Sequence, residues 1–138
     1  MDRTETALTA FASGFNCAQA VLAAYCEDFG LDTPTALRLG EGFGGGVAGG
    51  GGLCGALSGA VMALGLYAGR DEAGDLAAKE HTQSLILALL ARFQARHGDT
   101  ACEALLRSQG VALGGKCPAC AAFVETACEL VDGLLLEG

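Results

Sequence analysis

Seven cysteines stand in a chain of 138 residues, at Cys17, Cys26, Cys54, Cys102, Cys117, Cys120 and Cys128. The thiolate, not the thiol, attacks disulfides and binds soft metals, so the question is which of these sulfurs can act as anions. In a reducing compartment a set this large points to metal binding or redox chemistry rather than a disulfide framework. Other chemistries find little support. No Ser/His/Asp or paired-carboxylate constellation emerges to suggest a hydrolase. The two histidines, His81 and His97, fall at the start and end of one expected helix, where a solvated face is the role expected of both.

The elements that must position these thiols read as helices throughout, with almost no strand signal. Thr4 to Ser13 forms a short helix stopped by Gly14. Asn16 is an N-cap with Gln19 as its capping-box partner, opening a second helix from Cys17 to about Phe29. Thr33 caps a third helix with Pro34 at its start, ending near Gly40. A fourth, from about Leu53 to Tyr67, is apolar all round, as a buried central helix would be. A fifth spans about Asp71 to His97, Thr100 caps a sixth that ends before Gly110, and a seventh runs from Cys117 to about Leu136 with Phe123, Val124, Ala127, Leu130, Val131 and Leu134 inward. The fold class expected is all-α: a compact bundle of about six to seven helices in one domain over residues 1–138, around a buried central helix preceded by a glycine-rich loop.

On this map the cysteines sort into two groups. Cys17, Cys54, Cys102, Cys117 and Cys120 fall at helix N-termini, where unsatisfied backbone N–H groups and the helix dipole favour an anion and lower a thiol pKa. Cys26 and Cys128 fall inside helices, where cysteine behaves as a small buried hydrophobe.

The stretch from Gly42 to Gly59 carries no charge and is dense in glycine, a costly composition unless the backbone itself is needed. Either a path through positive φ or a very close approach would use it. Its two G-x-G-x-x-G matches, Gly44/Gly46/Gly49 and Gly50/Gly52/Gly55, have no preceding strand and do not make a dinucleotide site. Gly115-Lys116 is followed by Cys117, not by Ser or Thr, so no Walker A is present. Cys117-Pro118-Ala119-Cys120 has dithiol spacing without a βαβ context, and Ala121 where covalent haem attachment needs histidine. Gly55 and Gly59, four apart, allow close helix approach. The loop is therefore expected to aim Cys54 at thiols from other helices, with its spare N–H groups favouring sulfur anions and Gly52, Gly55 and Gly59 lining the site.

Cys17, then Cys54-Gly55-Ala56-Leu57-Ser58-Gly59, then Cys102, then a C-terminal cysteine resembles the redox-active proteins named for their C_GCAxxG_C_C pattern. The flanks Gly14-Phe15-Asn16-Cys17-Ala18-Gln19-Ala20 and Gly42-Phe43-Gly44-Gly45-Gly46 agree. The resemblance covers nearly the whole chain and places the family's cysteines on Cys17, Cys54, Cys102 and one of Cys117 or Cys120. Lys116-Cys117-Pro118 fits the usual run-in, whereas Cys120 fits the spacing to the helix that follows. A related domain in split-Soret cytochromes implies that these thiols hold an iron–sulfur cluster.

The expected function is therefore redox chemistry by clustered cysteines, through thiol–disulfide exchange or a [2Fe–2S] cluster, with no other cofactor. The alternative is a non-redox helical dimer or zinc-binding module. Hydrophobic content of 51% and charged content of 17% suggest a homodimer, with a redox partner whose identity the residues do not give. A net charge of -8 argues against nucleic acid. The N-terminal residues lack a signal peptide's basic and apolar regions, and Leu53 to Ala68 is too short an apolar run to span a membrane, so a cytoplasmic protein is expected.

Overall fold

The structure, a computed structural model, describes residues 2–113 and 118–138. Among them are seven α-helices and no strand: α1 (Arg3–Ala12), α2 (Cys17–Tyr25), α3 (Thr33–Gly40), α4 (Gly55–Ala68), α5 (Leu76–His97), α6 (Cys102–Ser108) and α7 (Ala119–Glu137). Short 3₁₀ turns extend α2 over Cys26–Phe29 and α3 over Glu41–Phe43. No described helix is long and apolar enough to cross a membrane.

Helices α2 and α4 share the centre. Helix α4 packs against α2, α5 and α7, and α2 packs against α1, α3, α4 and α7. The first part of α4 is wholly buried, from Gly55 to Ala60, but Leu66 and Tyr67 emerge at its end. The seam between α2 and α4 explains Gly59: a Cβ there would stand 2.6 Å from the Ala18 carbonyl oxygen and 3.0 Å from the Val21 Cβ. The close helix approach implied by the glycine spacing is thus made within the chain. On α7, Phe123, Val124, Ala127, Leu130, Val131 and Leu134 are all buried, as their periodicity predicts.

Helix boundaries depart from expectation where side chains settle the caps. Asp32, not Thr33, caps α3, because its carboxylate accepts from the Thr35 N–H at 3.0 Å. Helix α5 begins five residues later than predicted: Asp75 is its cap, accepting from the Ala78 N–H, and Gly74 just before it favours a turn. Helix α4 starts at Gly55 because the preceding residues are held extended. Leu53 forms an isolated antiparallel bridge with Ala101, and the Cys54 N–H donates to the Thr100 carbonyl at 2.8 Å. Ala101 is the cap residue of α6, while the Asp99 carboxylate accepts from the N–H groups of Thr100 and Ala101 and so shapes the turn. Those bonds hold the Asp99 carboxyl below the usual carboxylate range, the one from Ala101 most strongly.

Candidate functional site

The glycine loop takes its shape from the backbone. Residues 45–49 all have positive φ, from 52° at Ala48 to 77° at Gly46, with the non-glycine residues Val47 and Ala48 included. Left-handed backbone costs about 1–2 kcal/mol for each residue carrying a Cβ, so glycine dominates such a run. Gly46 has no alternative, since a Cβ there would overlap the Gly52 nitrogen. Both uses of the glycines considered from sequence are therefore realised, positive φ within the loop and close approach at its edges.

The loop's N–H groups are not spare. Those of residues 47 to 52 donate to loop carbonyls, as in Gly51 to Gly45 at 3.0 Å and Gly52 to Gly46 at 2.9 Å. What the loop offers outward is carbonyls: Gly52 O accepts from the Cys102 N–H at 2.6 Å and Gly51 O from the Glu103 N–H at 3.1 Å. This backbone clasp fixes the first turn of α6 against the segment that leads into α4. Spare N–H groups favouring sulfur anions were expected along this stretch, and the structure corrects that for residues 47–52, whose N–H groups close the left-handed turn; those of Ala56 and Leu57, past the loop, face the Cys54 sulfur.

The clasp sets Cys102 beside Cys54, and the packing of α2 and α7 against α4 adds Cys17 and Cys120. Cys17, Cys54, Cys102 and Cys120 line one small cavity with Gly55, Leu105, Leu106 and Phe123. Cys17 and Cys102 are the first residues of α2 and α6, Cys54 is the N-cap of α4, and Cys120 is in the first turn of α7. Thiols apart, no polar side chain among the described residues lines the space, whose volume of about 20 Å³ is near that of one water-sized sphere. Gly55 makes room for sulfur: a Cβ there would meet the Cys17 Sγ at 2.6 Å and the Phe43 carbonyl oxygen at 3.2 Å. Cys117 lies outside the described residues.

Cys54 is the buried member, 4% exposed, whereas Cys17, Cys102 and Cys120 are half-buried. Its thiol does not have the lowered pKa expected at a helix start. Burial pushes it up to about 12, with the neighbouring Cys17 sulfur adding to the rise; the Ala56 and Leu57 N–H groups pull the other way and lose. Desolvation outweighs the helix terminus because Cys54 itself is buried against an apolar wall.

Cys26 and Cys128 are fully buried, in keeping with structural roles, and neither lines the cavity. His97 differs from expectation. It is half-buried, its Nε2 lies 2.9 Å from the Thr126 Oγ1, and its ring sits 4.8 Å from those of both Phe93 and Phe123. Burial lowers its pKa, with Arg96 adding to the effect. His81 is exposed, its ring edge-on to Tyr67. The apolar wall was not singled out from sequence, although a signal existed. Leu105 and Leu106 follow Cys102 by three and four residues, and Phe123 follows Cys120 by three, spacings that share a helix face.

As a ligand set, four thiols in an apolar shell have the donor chemistry of an iron–sulfur or zinc site. Among the described residues no three Cys, His, Asp or Glu side chains converge as a mononuclear site requires. A [2Fe–2S] cluster needs only two thiolates at each iron.

The model of a family described as "Putative redox-active protein (C_GCAxxG_C_C)" matches residues 15–134. No curated protein and no solved structure gives a significant match.

Proposed function

Because the chain belongs to the C_GCAxxG_C_C family of redox-active proteins, we propose that the four-cysteine cavity is its redox centre, with Cys17, Cys54, Cys102 and Cys120 as the ligands of a [2Fe–2S] cluster. The observation that carries this reading is that four separate helix starts deliver thiols to one space with no other polar side chain among the described residues. A cluster bound there would supply a one-electron couple. The residues do the rest. Cys54, protonated at neutral pH when metal-free, is a poor attacking group; as a ligand it would bind as the thiolate, a bound metal replacing the proton, which is released to solvent. The N–H groups of Ala56 and Leu57 favour the Cys54 sulfur as an anion, and Leu105, Leu106 and Phe123 exclude water. Gly55 leaves room for the Cys17 sulfur, and Gly52 ties Cys102 in place through its carbonyl. The cavity has only the size of a water molecule, so holding a cluster would require the half-buried thiols of Cys17, Cys102 and Cys120 to move apart.

A second reading, thiol–disulfide exchange, is favoured by the partial exposure of Cys17, Cys102 and Cys120, which leaves three thiols within a reagent's reach. Two thiols would close to one disulfide, releasing two protons and passing two electrons to a partner disulfide.

Anaerobic purification with a visible spectrum and iron, zinc and sulfide analysis separates the readings. Brown protein with iron and sulfide in equal amount supports the cluster. Metal-free protein whose Cys17, Cys54 and Cys102 label differently before and after oxidation supports exchange. Stoichiometric zinc, or labelling that is slow and indifferent to oxidation, overturns both.

A further inference from the structure

We propose that Asn16 is a positioning residue of the centre: its side-chain amide clamps the start of α2 to the start of the glycine loop and so holds the Cys17 sulfur at the cavity. The amide has two halves with separate duties. Its Oδ1 accepts from the Gln19 N–H at 2.8 Å, while the Gln19 Oε1 accepts from the Asn16 N–H at 3.0 Å, which closes the capping box at α2. Its Nδ2 points the other way and donates to the Glu41 carbonyl at 3.0 Å, with the Gly40 carbonyl at 3.4 Å. A cap needs only the first half.

The second half joins three things: the residue before Cys17, the end of α3, and the run into the left-handed loop. Gln19 strengthens the joint from a buried position, its Nε2 donating to the Leu37 carbonyl at 2.9 Å. Glycines on the opposite side leave room for the Gln19 backbone and the Asn16 side chain. A Cβ on Gly40 would stand 3.0 Å from the Gln19 backbone, and a Cβ on Gly44 would stand 2.7 Å from the Asn16 Nδ2. Gly44 itself has φ −61° and ψ 142°, open to any residue, so its smallness answers to Asn16 and not to the backbone. On the far side of the same joint, Gly55 brings α4 against the Cys17 sulfur and the Phe43 carbonyl. Cys17 is thus gripped between two surfaces, and Asn16 sets the distance to one of them.

The inference rests on the proposed function only in counting Cys17 as part of the centre, and its test reads Cys17 directly. The rate of iodoacetamide labelling of each cysteine is measured by mass spectrometry on the reduced, metal-free full chain, with buried Cys26 and Cys128 as internal gauges of general loosening. Asn16→Ala removes cap and clamp. Asn16→Ser keeps a capping oxygen but is too short to reach Glu41. Gly44→Ala leaves Asn16 in place and pushes its amide away.

All three variants are expected to change Cys17 labelling about tenfold or more, the scale seen when the groups that orient a ligand are removed, with Cys26 and Cys128 unchanged. If Asn16→Ser labels as the unaltered protein does and only Asn16→Ala differs, Asn16 is a cap alone and the proposal falls. A parallel rise at Cys17, Cys26 and Cys128 in every variant overturns it as well. Failure of the redox reading would show separately, as an unaltered protein without iron or an oxidation response, and would leave this comparison readable.

Discussion

Cys54 and Cys128 are both buried and equally reluctant to ionise, yet they belong to different kinds of site. Burial pushes each thiol up to about 12. Around Cys54 stand the thiols of Cys17 and Cys102, two backbone N–H groups and a small cavity. Around Cys128 there is packing and one polar anchor: the Tyr25 hydroxyl has two acceptors for its single hydrogen, the Cys128 carbonyl at 2.9 Å and the Asp132 carboxylate at 2.8 Å. Tyr25 is itself fully buried, and its own pKa is raised, chiefly by that burial. A shifted pKa therefore does not mark function in this chain. What separates the two regions is whether other sulfurs share the space.

Replacing the two sulfurs tests that separation most harshly. Cys54→Ser is expected to cut iron retained per chain by about tenfold or more, whereas Cys128→Ala should retain iron fully and cost about 1–2 kcal/mol as a small core truncation. Equal iron loss in both variants would erase the distinction. Two glycines of α4 offer the next contrast. Gly55→Ala drives a Cβ into the Cys17 sulfur and should cost about 1–3 kcal/mol while disturbing the centre. Gly65→Ala meets nothing within 4 Å and should stabilise by about 0.5–1 kcal/mol, checked by denaturant melts. Tyr25→Phe removes the anchor over Cys128 and should cost about 1–3 kcal/mol, with the spectrum of the centre unchanged.

The mildest prediction concerns pH. Both thiols have folded-state pKa values raised from an ordinary 9.0 to about 12, so the folded state keeps protons that the unfolded state has released. Their contribution to stability is complete below pH 9.0 and is lost as pH climbs towards 12. Metal-free Cys54→Ala and Cys128→Ala should each flatten that alkaline decline in urea titrations, and a decline of unaltered slope would contradict the assignment.

The fold was legible because the helical periodicity is strong, as in the inward stripe of α7, and because Asn16 with Gln19 is an unambiguous helix start. The grouping of Cys17, Cys54, Cys102 and Cys120 was legible too, since each falls at a helix beginning. Less local facts stayed hidden. The pairing of Leu53 with Ala101 joins residues 48 apart and delays α4 by two residues, which no local propensity reports. The sign of the Cys54 shift depended on how tightly the cavity closes, a sum over Leu105, Leu106 and Phe123 that the helix-start argument left out. Which partner takes up the loop's N–H groups depended on the left-handed run at 45–49, with Val47 and Ala48 adopting a backbone that their side chains disfavour. A place at a helix C-terminus suggests a solvated His97, but Phe93 and Phe123 pack against its ring from two helices.

Electron paramagnetic resonance of the anaerobically purified chain, before and after dithionite, tests the central claim most directly. The four-cysteine centre predicts a signal that appears on reduction, accounts for about one electron per chain and vanishes on reoxidation. Cys54→Ser should lose it, and Cys128→Ala should keep it. A chain that stays silent in both states and holds no iron would contradict the account.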